Sequence, residues 1–162
     1  MADSLRLPEP LRQELIAHAR EGDPDEVCGI LAGSDGRVTR VFRVRNIADQ
    51  VAAEAGVFRD RATLAPTVGR RPVHYYMDPL DQLRVYREID DLDLDVLAYY
   101  HSHTHTEARP SPTDVRLAHD SSALWVLVGL EDKQHPRVRA WRIVKEDEAG
   151  ESGDVVEVPL EG

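Results

Sequence analysis

Two histidines, a serine and an aspartate in one short stretch have the types and spacing to do chemistry: His101-Ser-His103, seven residues, then Ser111-Pro-Thr-Asp114. The residues that lead into them, Val96-Leu-Ala-Tyr-Tyr100, predict a buried strand over Val96–His103. Side chains alternate faces along a strand, so His101 and His103 point the same way from its end. Ser111, Pro112 and Asp114 have the types favoured at the N-cap, first and third positions of a helix, which predicts a short helix from Thr113 to about His119. That turn can swing the Asp114 carboxylate back towards the imidazoles. Two neutral nitrogens and one carboxylate make a three-ligand zinc set that leaves a fourth position for water, the catalytic rather than the structural pattern. A metal-activated water needs a proton acceptor, and Glu26 is the candidate, because it opens the apolar run Val27 to Ala32, where a carboxylate is otherwise out of place. Ser111 could donate its hydroxyl to a developing oxyanion. The plainer alternatives are ordinary strand histidines and a simple capping box.

The rest of the chain has to hold these groups. Residues 8 to 21 predict an amphipathic helix, with Leu11, Leu15 and Ala19 in one row, Ile16 beside them and Gly22 as its stop. Glu26 to Gly33 predicts a buried strand, Ser34-Asp35-Gly36 a hairpin turn, and Arg37 to Asn46 the return strand, with Val38, Phe42 and Val44 on one parity. Residues 47 to 72 have only scattered apolar anchors and are expected to form an insertion loop. Val73 to Met77 resumes a strand, and Asp78-Pro79 starts a helix whose apolar face is Leu80, Leu83, Tyr86 and Ile89. Leu124 to Leu130 and Val138 to Lys145 are further strands, the second with Ala140, Arg142 and Val144 on one face. Residues 146 to 162 read as an acidic loop and a C-terminal strand or tail. With no repeat and no second core, residues 1 to 162 are expected to form a single α/β domain, a sandwich around a mixed, largely antiparallel sheet flanked by helices.

Composition narrows the function. A formal net charge of −10 argues against nucleic acid or an anionic membrane as partner, since both select clustered Lys and Arg. The longest apolar run, Ala123 to Leu130, is too short to span a bilayer, and the first residues have no apolar segment of the secretory kind. A lone cysteine, Cys28, fits a reducing, cytoplasmic location and in its apolar strand reads as a small buried hydrophobe rather than a nucleophile. His105 reads as a loop residue near the site mouth and Arg109 as a solvated loop cation, with a substrate contact open for both. His18, His74, His119 and His135 read as structural or exposed.

The motif resembles that of the JAMM (MPN+) metalloproteases, an upstream glutamate followed by His-x-His, seven residues and Ser-x-x-Asp. The flanks agree: Pro24-Asp-Glu-Val-Cys-Gly-Ile-Leu-Ala-Gly33 is similar to the family's first core strand, Tyr99-Tyr-His-Ser-His103 to its metal strand, and Met77-Asp-Pro-Leu-Asp-Gln-Leu83 to the helix between them. The resemblance covers roughly residues 8 to 145. It implies a cytidine-deaminase-like fold, one Zn2+ bound by His101, His103 and Asp114, Glu26 as general acid/base and Ser111 as transition-state support. It also implies hydrolysis after the C-terminal glycine of a ubiquitin-like protein. Thr104, where many members have proline, and the run His101-Ser-His-Thr-x-Thr-Glu-Ala-x-Pro-Ser-x-Thr-Asp-Val115 resemble small actinobacterial members that free cysteine from a ubiquitin-like sulfur carrier ending in Gly-Gly, in cysteine biosynthesis. Removal of such a modifier from protein lysines and a non-catalytic carrier-binding module are the competing functions. Carrier, pathway and oligomeric state are left open.

Overall fold

The computed structural model describes residues 4–48, 75–118, 120, 122–146 and 152–162. The elements run β1 (Leu5–Arg6), α1 (Glu9–Gly22), β2 (Cys28–Ser34), β3 (Arg37–Val44), α2 (Pro79–Asp91), β4 (Asp95–His103), α3 (Pro112–Leu117), β5 (Leu124–Gly129), β6 (Arg137–Val144), β7 (Asp154–Val158) and β8 (Leu160–Glu161). The strands form one sheet in the order β7-β6-β5-β4-β2-β3-β1-β8. Antiparallel pairs join β2 to β3 and β4, and β6 to β5 and β7. Parallel pairs join β4 to β5 and β1 to β3 and β8. This is the expected α/β class with a mixed, mostly antiparallel sheet flanked by helices. No helix among the described residues is long and apolar enough to cross a membrane.

β4 lies inside the sheet with both faces covered, which is why it reads as a continuous apolar run rather than an alternating one. Ala98 and Tyr100 pack with Leu15, Ile16 and Ala19 of α1. Tyr99 packs on the other face, with Val85 and Ile89 of α2 and with Val115 at α3. His101 and His103 continue the parity of Tyr99, so the α2/α3 face carries the site, while Tyr100 and Ser102 face α1. Gly29 pairs with Tyr100 across β2–β4. A Cβ at Gly29 would stand 2.2 Å from the Tyr100 ring and 2.4 Å from the Phe42 carbonyl oxygen, so only glycine lets that ring lie across the strand.

Several expectations from the sequence are corrected. Val38 packs on the α1 side whereas Phe42 and Val44 pack on the other, because a bulge opposite Ala32/Gly33 puts an extra residue into β3 and exchanges its faces. The apolar row of α2 is Val85 and Ile89, with Tyr86 half-buried; Leu80 and Leu83 are 79% and 45% exposed, because the sheet meets the helix along a neighbouring stripe. On β6 both parities are used: Ala140, Trp141 and Ile143 are buried and Val144 is exposed. The strand expected at 73–77 is reduced, among its described residues, to a single bridge between Met77 and Asn46. The C-terminal strand is two, split at Pro159: β7 pairs with β6, and β8 pairs with β1, so the two ends of the sheet are neighbours in the chain. Most of the expected insertion, residues 49–72, lies outside the described residues, as do His74 and His119.

On the α1 face, His18 Nδ1 and the Tyr100 hydroxyl are 2.7 Å apart. Burial holds the Tyr100 phenol far above its ordinary pKa, so it stays protonated and shares one hydrogen bond with His18. Burial, helped by Arg43 and opposed by Glu21, lowers the His18 pKa to about 4. The folded state therefore binds this proton less readily than the unfolded one. The resulting stability is complete above about pH 6.5 and is lost as the pH falls towards 4. We expect His18→Gln to remove this loss: between pH 7.5 and 5.0, urea unfolding of the wild type should lose about 1 kcal/mol more than the variant, the linkage figure being reduced by solvent screening at this half-buried ring.

Candidate metal centre

The site forms where β4 ends. Its interior position leaves Cys28 of β2 and Leu127 of β5 as the residues level with His101, one on each side. The chain then leaves the sheet through a loop that is pinned at several points. The Trp141 indole N–H donates to the Ala108 carbonyl at 2.8 Å, and Lys133 Nζ donates to the Thr104 carbonyl at 3.1 Å and to Asp23 at 2.7 Å. A Cβ at Gly129 would lie 2.8 Å from the Ala108 nitrogen, so glycine is what allows the loop to close on β5. The loop delivers the chain to Ser111, the N-cap of α3. The Ser111 hydroxyl accepts the Asp114 N–H at 3.1 Å, and Asp114 Oδ2 accepts the Ser111 N–H at 2.8 Å, a reciprocal capping box.

The box turns the Asp114 carboxylate onto both imidazoles. Its Oδ2 is 3.1 Å from His101 Nε2 and 3.0 Å from His103 Nε2. Donor atoms about 2.0–2.1 Å from one tetrahedral zinc stand about 3.3 Å from each other, so these separations suit a shared ion. His103 is anchored from behind, with Nδ1 2.9 Å from the Glu107 carbonyl oxygen, which leaves Nε2 to face inward. His101 is only 1% exposed, and among the described residues neither of its ring nitrogens has a hydrogen-bond partner; the approach of Asp114 Oδ2 lies outside hydrogen-bonding direction. A buried imidazole with both nitrogens free of hydrogen bonds among the described residues is suited to ligating a cation.

Glu26 completes the cluster: one carboxylate oxygen and one ring nitrogen from each histidine lie within 4.8 Å of one another, all three residues buried. Its backbone is fixed from two sides. The Val27 N–H donates to the Ser102 hydroxyl at 2.9 Å, and the Ser102 N–H donates back to the Val27 carbonyl at 3.0 Å. Asn46 Nδ2 donates to the Glu26 carbonyl at 2.9 Å. The five residues singled out in the sequence, Glu26, His101, His103, Ser111 and Asp114, are thus brought together.

The electrostatics match a cation-binding centre. Burial, then the charge of Asp114, pushes the Glu26 carboxyl well above its ordinary range. Burial opposes the charge of Asp114 too, but the two imidazoles outweigh it and hold that carboxyl far below the usual range. Burial lowers the His101 pKa, against the pull of Asp114. At His103 burial also disfavours the proton, yet the Asp114 and Glu107 hydrogen bonds raise the pKa overall.

Other sequence candidates stay outside. His105 is exposed in the loop. Arg109 is exposed, its guanidinium 5.1 Å from the centre of the Trp141 ring. Cys28 is buried, its thiol donating to the Val44 carbonyl at 3.4 Å, and burial raises its pKa beyond any use as a thiolate nucleophile. Sequence reasoning missed Ser102, Asn46 and Tyr75, whose ring stacks on His101. Only Ser102 left a signal, as a hydroxyl between two histidines on an otherwise apolar strand.

Comparison with known proteins agrees with this geometry. The CysO-cysteine peptidases of Mycobacterium bovis and Mycobacterium tuberculosis are 37% identical to this chain over 145 residues, 88% of this chain and 85% of each of theirs. The solution structure of a Desulfitobacterium hafniense protein matches with a TM-score of 0.71 at 30% identity, over 96% of this chain and 90% of that one. The crystal structure of a JAB1/MPN domain protein from Archaeoglobus fulgidus shares the fold, with a TM-score of 0.53 at 15% identity over 99% of this chain and 100% of that one. The family model for prokaryotic homologs of the JAB domain matches residues 8–144, which include all five residues of the site. The chain belongs to this family, the JAMM family that its motif resembles.

Proposed function

We propose that this chain is a zinc-dependent metallopeptidase that hydrolyses the amide bond after the C-terminal glycine of a ubiquitin-like sulfur carrier, releasing cysteine and regenerating the carrier. The observation that carries the reading is the convergence of His101, His103 and Asp114 on one point with the Glu26 carboxylate beside it, in a chain similar to two proteins named for cysteine release from CysO. His101, His103 and Asp114 hold the metal. Zinc in that set would supply a Lewis acid and bring the pKa of water to roughly 7.

The remaining steps belong to the chain's own groups. Glu26 takes the proton of the attacking water on its carboxylate and returns it to the leaving amine nitrogen, and a carboxyl raised by burial is suited to both transfers. The Ser111 oxygen already accepts the Asp114 N–H, so its own hydrogen is left to donate to the carbonyl oxygen as negative charge develops there. A fixed loop, a capped helix and a strand inside the sheet keep these donors in place without rearrangement during the reaction.

Glu26→Gln should retain zinc, measured by metal analysis of the purified protein, and lose 10²-fold or more in kcat, on the order of what positioned proton transfer contributes. Undiminished turnover would remove Glu26 from the reaction. His101→Ala and Asp114→Ala should lose metal and activity together.

The substrate is tested by intact-mass spectrometry of a sulfur carrier ending in Gly-Gly-Cys, incubated with the protein with and without chelator. Chelator-sensitive loss of one cysteine is the expected result. An intact adduct in the presence of the zinc-loaded protein would overturn cysteine release, and cleavage of a lysine-linked adduct of the same carrier would identify an isopeptidase instead.

A further inference from the structure

The two histidines are oriented by different means. His103 stands at the last position of β4, where the chain turns away and the Glu107 carbonyl reaches back to its Nδ1 at 2.9 Å. His101 lies two residues further in, level with Cys28 and Leu127, and its Nδ1 meets no acceptor among the described residues. A metal-binding imidazole is ordinarily held by a hydrogen bond at its other nitrogen, which fixes both tautomer and ring plane. His101 has instead an aromatic partner. The ring centre of Tyr75 is 4.2 Å from that of His101, with the planes inclined by 26°, a stacked arrangement.

Tyr75 is itself well placed to hold a plane. The next residue is tied down by its N–H to Asn46 Oδ1 at 3.0 Å and by its carbonyl to the Ile47 N–H at 2.9 Å. Met77 bridges Asn46, and the Asp78 N–H donates to the Arg45 carbonyl at 2.9 Å. The same Asn46 donates to the Glu26 carbonyl, so a single amide side chain references both the stacked ring and the acid to one point. An electron-rich phenol face also suits an imidazole that shares the charge of a cation.

We propose that Tyr75 is a positioning residue for the metal centre: its ring fixes the plane of the His101 imidazole and so does the work of the hydrogen bond that His101 Nδ1 does not find among the described residues. The proposal rests on the reading of His101 as a metal ligand. It requires the aromatic ring and not the hydroxyl, so Tyr75→Phe keeps the function, whereas Tyr75→Met fills similar space and loses it.

The test is the zinc affinity of the metal-free protein, measured by competition with a chromophoric chelator, for the wild type, Tyr75→Phe, Tyr75→Met and His101→Ala. The melting temperature of each metal-free form is measured in parallel. Tyr75→Phe should bind within about threefold of the wild type and Tyr75→Met about 10- to 100-fold more weakly, the usual cost of losing a group that orients a ligand. Cobalt-loaded Tyr75→Met should also show altered visible absorption bands, reporting a changed ligand geometry. Wild-type affinity in Tyr75→Met while His101→Ala loses zinc would overturn the proposal and leave the ligand assignment standing. So would a lower melting temperature in Tyr75→Met with unchanged affinity, the signature of packing alone. Wild-type affinity in His101→Ala would instead overturn the ligand assignment.

Discussion

The Asp114 carboxylate is held in the interior against two imidazoles, and that buried charge dictates what surrounds it. An ion of this kind costs several kcal/mol to desolvate unless it is paired and hydrogen-bonded. The Ser111 N–H provides one charge-assisted bond. His103 has its Nδ1 committed to the Glu107 carbonyl and can donate to Asp114 only as a cation, and burial opposes a charge on either ring. With the Glu26 carboxyl also buried nearby, protonating one ring satisfies part of the cluster at best. A divalent ion would satisfy all of it, since each ring can offer a lone pair and the carboxylate its charge. The donor set therefore suits a cation better than it suits a set of internal salt bridges.

Such a cluster survives only if its members are held by groups that do not themselves titrate. Here the holding groups are main-chain amides and neutral side chains: Ser102 and Asn46 for the segment of Glu26, the Glu107 carbonyl for His103, the Tyr75 ring for His101 and the capping box for Asp114. They come from distant parts of the sequence and meet because β4 is central, with β2 on one side and β5 on the other. The sheet keeps the separation between Glu26 and the histidines nearly fixed, since Cys28 is level with His101 through backbone pairing. The geometry of the site is in this sense a consequence of strand register.

How far sequence leads depends on whether the information is local. The residues of the site were legible because their spacing along a strand, a loop and a helix start determines which way they face. β2, β4 and β5 were legible because strands buried on both faces are continuous apolar runs. The stripe of α2 was not, because Leu80 and Leu83 satisfy helical periodicity as well as Val85 and Ile89 do, and only the position of the sheet chooses between them. The parity of Val38 was hidden by a bulge that depends on β3 pairing with β2. β1 is two residues long, below the length at which a pattern exists. Tyr75 and Asn46 carry no local sign of their role, because the stack on His101 and the bond to Glu26 both span contacts distant in sequence.

Ser111-x-x-Asp114 shows why a structural and a chemical reading of one motif need not compete. α3 has six residues, too few to persist on its own, and is stabilised at both ends. Ser111 and Asp114 cap its start, and Lys145 at the end of β6 donates to the Arg116 and Ala118 carbonyls at 3.2 and 3.1 Å at its finish. The bond from the Ser111 N–H fixes Asp114 Oδ2 and, with it, the carboxylate's approach to both imidazoles. A carboxylate has two oxygens and about four acceptor positions, enough to cap a helix and bind an ion together. The Ser111 hydroxyl likewise accepts with its oxygen and retains its hydrogen. Capping supplies the rigidity that ligation would need, and this six-residue helix is where the fold fixes the carboxylate that faces both imidazoles.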